Sequence, residues 1–378
     1  MGCVIPTHLH ITIIKLTLNP HTMNLHQLWL ITRYSFTEIW RNKTFRVAFM
    51  VLIPLLIAYQ VSFQSDMFNI PVEYTLVLSS FIPTQNAYMF NLLLVFPLAT
   101  MGFWVHKQKK YNTLEALLVH PQGNDTYSTG FILGIIIAFM IMGSISLALA
   151  GLINLFASPT SFRPLIYLFY LVTLILPTIV FIVGITSFLA ARCFKNGTVT
   201  TFFMLVYLSV DILFLSTLYH GLFDPLGILL PYTFSDFTGI ADLPGFLLHR
   251  TTFLLLGIGF ITLAISGLPR IPNKINGRQR AACSGILALF VGLLAGFITY
   301  NHHEQVERRH ALYESVYEKH DSPNKINIIA HDIRFTYQQK EARVESRVSL
   351  YNPTGITLSE IILYLNPSLE VTSIQENL

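Results

Sequence analysis

Residues His106–Pro121 read HKQKKYNTLEALLVHP, a short basic and amphipathic stretch held between two long apolar runs. Lys107, Lys109 and Lys110 directly follow an apolar run that ends at Val105, and they precede a helix-forming TLEALL and a proline stop. A basic loop flanked by membrane spans belongs on the cytosolic side. Leu114, Leu117 and Leu118 fall at helical spacing, which suits docking onto a cytosolic partner. The simpler alternative is a solvated loop whose lysines only fix topology. The rest of the chain has to decide between the two.

The composition is that of a membrane protein. Over 378 residues, 53% are hydrophobic and 12% charged, with a mean hydropathy of +0.55; soluble domains carry charge on roughly a quarter of their residues. The net charge of +4 is small, and its placement says more than its size. Cys3, Cys193 and Cys283 are scattered, with no CxxC pair and no Cys/His spacing suited to zinc, so neither a disulfide framework nor a zinc site is expected.

A helical span needs about 20 mostly apolar residues. Seven segments meet this: Phe45–Phe63, Tyr88–Val105, Phe131–Leu152, Leu165–Ala191, Thr198–Leu218, Thr251–Leu268 and Ala281–Tyr300. With the N-terminus in the cytosol, the inner regions hold Lys15, Arg33, Arg41, Lys43, Arg46, the three loop lysines, Arg192, Lys195, Arg270, Lys274, Arg278 and Arg280. The outer regions hold only Arg163 and Arg250, and Gln64–Ala87 has no Lys or Arg. This bias predicts an N-in protein, with everything after Tyr300 outside the cytoplasm; the resemblance given below implies a bacterial inner membrane.

The first 22 residues lack a small-residue cleavage site and fail the myristoylation pattern at Pro6. They read as an extension, with Met23 a candidate start. Residues 23–44 then form an amphipathic helix too polar to span. Leu28, Ile31, Ile39, Trp29 and Trp40 cover one side, interrupted by Arg33, Glu38 and Arg41. Such a helix suits the membrane interface, with Trp29 and Trp40 at headgroup level and Arg33 and Arg41 toward phosphate.

No GxxxxGK[ST] loop occurs, so P-loop binding of ATP is excluded. Gly257-Ile-Gly259 lacks a third glycine inside an apolar run and reads as helix packing. His303-Glu304 begins like HExxH, but Glu307 stands where the second histidine belongs. No Gly-x-Ser-x-Gly elbow is present. No catalysis, bound cofactor, metal or nucleic-acid partner is expected. Asp211 is the acidic residue well inside a span, where carboxylates face a bundle interior or cavity; coupling to protons or substrate and an ordinary inter-helix bond both remain open. Pro54, Pro97 and Pro177 interrupt spans, which is tolerated when neighbours satisfy the freed carbonyls. Gly130-xxx-Gly134 and Gly292-xxx-Gly296 permit close helix contact. Residues His220–His249, broken by Pro225, Pro231 and Pro244, read as short helices dipping back into the outer leaflet.

Together these features resemble the permease subunit of an ABC transporter of the ABC-2 type over about Leu25–Leu268. The most specific element is KKYNTLEALLVHPQGNDTYSTGFILG, similar to the family's pattern leading into the third span, with Asn112, Thr113, Leu114, Glu115, Leu117, Leu118 and Pro121 as the matching positions. The resemblance implies that this segment is a coupling helix contacted by a separate ATP-binding subunit. Glu115 would pair with a basic group, and Leu114, Leu117 and Leu118 would dock. It also implies a second permease subunit, identical or homologous, and ATP bound only on the partner.

The expected architecture is an all-α polytopic membrane protein. A six-span, type V exporter-like bundle occupies 45–268, followed by a basic linker at 269–280, a seventh span at 281–300 and an extracytoplasmic tail at 301–378. The tail carries a helix and strand-like pieces around the Asn352-Pro353-Thr354-Gly355 turn. VSLYNPTGITLSEIILYLNPSLEVTSI resembles the opening β-rich domain of M1-family aminopeptidases, which some bacterial proteins fuse to such permease spans. No HExxH occurs before Leu378, so a truncated or split product, or a short form pairing with another chain, is expected. The rival functions are a membrane anchor for a peptidase module and a proton-linked transporter using Asp211.

Overall fold

The structure, a computed structural model, describes residues 25–68, 79–99, 101, 124–157, 161–228, 233–236, 239–240, 242–267, 275–320, 326–338, 341–353 and scattered positions from 355 to 375. Contacts divide the chain into two units, Met1–His303 and Glu304–Leu378.

The first unit begins with α1 (Leu25–Arg41) and α2 (Lys43–Phe68), separated at Asn42. The Asn42 side chain accepts the Thr44 N–H at 2.8 Å, so the break is also the N-cap of α2. α3 (Phe81–Ala99) and α4 (Asn124–Ala157) follow. α5 is one continuous helix, Pro164–Cys193, containing π-turns at Leu171–Ile175 and Leu189–Cys193. Asn196 caps α6 (Gly197–Leu213), its side chain accepting the Thr198 N–H. A 3-10 piece, Leu215–Gly221, leads through turns to α7 (Leu243–Gly267). α8 runs from Ile275 to His320.

Among the described residues, five helices are long and apolar enough to cross a membrane: Lys43–Gln64, Thr126–Phe156, Pro164–Cys193, Leu243–Gly267 and Gln279–His320. α6, at 17 residues, is shorter, and α3 is diluted by Thr84, Gln85, Asn86 and Asn91. Val47, Met50 and Val51 on α2, and Phe202, Val206 and Leu213 on α6, are exposed. A soluble monomer would bury such rows, whereas a bundle in lipid leaves them outward. This is compatible with a multi-pass membrane protein.

Side-chain contacts fix the helix directions. Phe45 meets Phe139 and Gln64 reaches Ala150, so α2 and α4 run the same way. Asn86 bonds Ser146 while Gly143 lies against Phe90, so α3 opposes α4. Gly143 also meets Ile175 and Asn154 bonds Tyr167, so α5 opposes α4. α5 and α7 are parallel, with Arg250 on Thr173 at one end and Arg192 on Ser266 at the other. α8 opposes α7, Gly285 lying against Thr262 and Gly296 against Thr252. α2, α3, α4 and α5 thus alternate in direction, and α8 opposes α7, as back-and-forth crossings require.

Glycines set the tightest approaches. A Cβ on Gly257 would stand 2.7 Å from backbone atoms of Val180 and Phe181, and one on Gly184 would strike the Gly257 carbonyl. α5 and α7 therefore touch backbone to backbone. Two residues on, Gly259 turns the other way and admits Leu289 of α8.

Two sequence-drawn boundaries move. The sixth apolar helix begins at Leu243 rather than Thr251, which places Arg250 inside it. The seventh span, expected over 281–300, and the helix expected to open the tail form one unbroken helix, Ile275–His320.

In the second unit, β1 (Asn327–Gln338) pairs antiparallel with β2 (Glu341–Tyr351). The register sets Phe335 opposite Val344 and His331 opposite Val348, while Arg334 faces Glu345 and Asp332 faces Arg347. Because side chains alternate, one face is largely apolar and the other pairs opposite charges.

Candidate functional site

A buried polar site inside the bundle is built around Arg250 of α7, 2% exposed. Its Nε donates to Thr173 O at 3.1 Å and its Nη2 to Leu174 O at 2.9 Å and Thr178 Oγ1 at 2.7 Å. Both Nη1 and Nη2 lie 3.3 Å from Pro225 O. The local reason is legible in α5. Pro177 has no N–H to give the carbonyl four residues earlier, Thr173, and the π-turn at Leu171–Ile175 further loosens the ladder there. A guanidinium presents donors in a fixed fork and fits carbonyls aimed at one point.

α3 contributes Asn91, whose Nδ2 donates to Leu226 O at 2.8 Å and reaches Thr178 Oγ1 at 3.2 Å. The segment held between α3, α5 and α7 is a turn organised by Asp224. Its Oδ1 accepts the N–H groups of Leu226 and Gly227, and its Oδ2 that of Ile228 at 2.6 Å. Gly227 has φ +69° and lies against Arg250; a Cβ there would be both strained and 3.0 Å from Nη1. His249, next to Arg250 and also buried, holds Gly221 O through Nε2 at 2.9 Å. A carbonyl only accepts, so Nε2 carries the proton. Adjacent residues of α7 thus grip both ends of residues 221–225, which descend as turns rather than as the expected short helices.

A second set of bonds closes over the ends of α3 and α5. Asp236 accepts the Ser79 hydroxyl at 2.6 Å and the Ser79 N–H at 2.9 Å, and it lies 3.4 Å from Arg163. The Ser79 hydroxyl, aided by that N–H and by Arg163 against partial burial, holds the Asp236 carboxyl below the usual carboxylate range. Ser80 donates to Phe234 O at 2.7 Å, and the Phe234 N–H donates to Tyr170 Oη.

Of the residues singled out from sequence, Asn112, Thr113, Leu114, Glu115, Leu117, Leu118 and Pro121 lie outside the described residues. Trp29 and Arg33 come together on the outer side of α1, the guanidinium 5.4 Å from the ring centroid. Trp40 turns the other way into Phe36, Phe45 and Phe49. The packed face of α1 is thus Ser35, Ile39 and their neighbours, and Trp29, 55% exposed, is not on it. Arg41 is exposed, its carbonyl accepting from Arg46. Asp211 is 0% exposed in α6, and neither carboxylate oxygen has a hydrogen-bond partner among the described side chains. Sequence reading missed Arg250, His249, Asn91 and Thr178. The available signal was an Arg preceded by His well inside an apolar helix, together with a proline in a neighbouring span.

Models of known protein families do not match this chain, and no curated protein matches it in sequence.

Proposed function

We propose that this protein is a membrane-spanning permease subunit of an ABC transporter of the ABC-2 kind. On this reading it sits N-in in a bacterial inner membrane, beside a second permease subunit and a separate ATP-binding subunit that supplies the ATP. The observation that carries the reading is the seating of α1 on the first turns of α4. A Cβ on Gly130 would stand 2.7 Å from Ile31, and one on Gly134 would stand 2.8 Å from Ser35 and 2.9 Å from the Phe36 backbone. α4 starts at Asn124, directly after the proposed coupling segment 112–121. A push delivered there enters a helix that already carries α1, and through Phe45–Phe139 also α2. A helix seated on the first turns of α4, with the proposed coupling segment next to them in sequence, suits the transmission of a partner's closure into rocking of the bundle.

Copurification with an ATP-binding subunit tests this. Leu117→Asp should abolish its recovery, and Gly134→Leu should keep the complex while uncoupling ATP hydrolysis from transport. Recovery undiminished in Leu117→Asp overturns the reading. In the tail, the one apolar face of the β1–β2 hairpin supports an M1-like opening domain.

A second reading, proton-linked transport, is favoured by one observation, the buried carboxyl of Asp211 with no hydrogen-bond partner among the described residues. A flux driven by a pH gradient without ATP, and lost in Asp211→Asn, would establish it in place of the first.

A further inference from the structure

Among the described residues the sheet of the second unit has two strands, so the outer edge of β1 has no neighbouring strand. An isolated two-stranded hairpin is marginal in water, and three or more strands are needed for independent stability. Exposed edges are ordinarily blunted by Lys, Pro or crowded charge. β1 runs for 12 residues with neither Pro nor Lys, and its formal charges are Asp332 and Arg334 alone. Ile328, Ile329, Ile333 and Phe335 are each more than half exposed. β2 carries Glu341, Arg343, Glu345 and Arg347 within 11 residues. β1 is therefore the less guarded edge.

The sequence of β1 is complementary to itself. Two copies of one strand pair antiparallel about a twofold axis perpendicular to the sheet, and the residue on that axis sets the register. With Ile333 on the axis, Asp332 stands opposite the second copy's Arg334, and Arg334 opposite its Asp332. An axis at Asp332 or Arg334 opposes like charges, and one at His331 or Phe335 leaves both charges unmatched. Within the hairpin Asp332 already faces Arg347, and Arg334 faces Glu345. Across two joined hairpins one row then reads Arg347, Asp332, the second copy's Arg334 and its Glu345, alternating in sign at every step. On the other face, the Val344–Phe335 pair continues into the second copy's His331 and Val348. We propose that a second copy of this chain adds to the outer edge of β1, antiparallel and about a twofold axis at Ile333, making one four-stranded sheet. Resting on the proposed function, this makes the second permease subunit identical to the first. The test needs neither ATP nor an ATP-binding subunit, so its failure and that of the coupling reading are distinguishable.

Disulfide cross-linking of the purified full chain in detergent tests this, with Cys3, Cys193 and Cys283 replaced by serine. Ile333→Cys should give a covalent dimer on oxidation, because the residue on the axis meets its own copy at a Cβ separation of about 5 Å. His331→Cys and Phe335→Cys should each fail alone, since like residues would lie about 13 Å apart along the strands. Combined in one chain they should give the dimer. Adding Ile333→Lys to that pair should abolish it, because two lysines would meet on the axis; Ile333 is exposed within its own hairpin, so the hairpin stays paired. No dimer from Ile333→Cys, or as much from His331→Cys alone, overturns the proposal. A dimer from Ser346→Cys in place of Ile333→Cys would put the second copy on β2 and overturn the assignment to β1.

Discussion

Arg250 is the side chain whose loss should be felt most. Replacing it with Met strands the carbonyls of Thr173 and Pro225, and buried groups left unpaired cost about 1–3 kcal/mol each. Arg250→Met should therefore melt well below the wild type in detergent, while Arg250→Lys, which keeps the charge but not the fork, should fall between. Gly257 offers a cleaner steric test. A methyl there meets backbone of α5, which cannot give, whereas at Gly151 the nearest atom is a Phe162 ring carbon at 3.1 Å. Gly257→Ala should cost about 1–3 kcal/mol and Gly151→Ala clearly less, read as unfolding midpoints. Asp236 makes a pH prediction. Its folded pKa is depressed, so its contribution is fully present above the unfolded value of about 3.9 and is lost as pH falls through the folded value. The stability gap between wild type and Asp236→Asn should be constant near neutrality and close in the acid range.

At the level of elements, α1 was legible because Leu28, Ile31 and Ile39 recur at helical spacing, yet its inner face was only half assigned. Trp29 looked like part of that face and is instead covered by Arg33 on the outside. Periodicity finds a stripe, but an aromatic one position off the stripe reads the same as one on it. Arg250 was placed in a loop because a charge lowers the local hydropathy, and the carbonyls that accept it come from another helix seventy-odd residues away. Pro177 was the one visible half of that arrangement. The need for its neighbours to satisfy a freed carbonyl was evident, but the donor was not. The π-turns in α5 have no side-chain signature at all. Asp211 was found because intramembrane carboxylates are rare enough to stand out alone. For α1 itself, Gly130→Leu should detach the helix: cysteines placed at Leu28 and Thr126 should cross-link in the otherwise unaltered chain and fail to do so once Gly130→Leu is added.

For the molecule as a whole, the contacts show α2, α3, α4 and α5 alternating in direction and α8 opposing α7. Either orientation is compatible with that; the positive-inside bias is what proposes the N-terminus in the cytosol. Cys193 closes α5 and Cys283 lies near the start of α8; both are free and exposed. With Cys3 replaced, an impermeant thiol reagent applied to intact cells should label neither of them. Thr233→Cys, in the segment beside Asp236, should label at once. Labelling of Cys193 from outside would invert the proposed orientation.

The π-turn at Leu171–Ile175 also makes α5 intolerant of changes in length. Each residue of an α-helix advances the winding by about 100°, so a single deletion within this turn would re-phase Pro164–Tyr170 against everything that follows. Tyr167 would swing away from Asn154 and Tyr170 from Phe234, bonds that tie this end of α5 to α4 and to the outer turn. Substitutions in Leu171–Ile175 are local events, but one residue more or fewer is a rotation of the whole helix end.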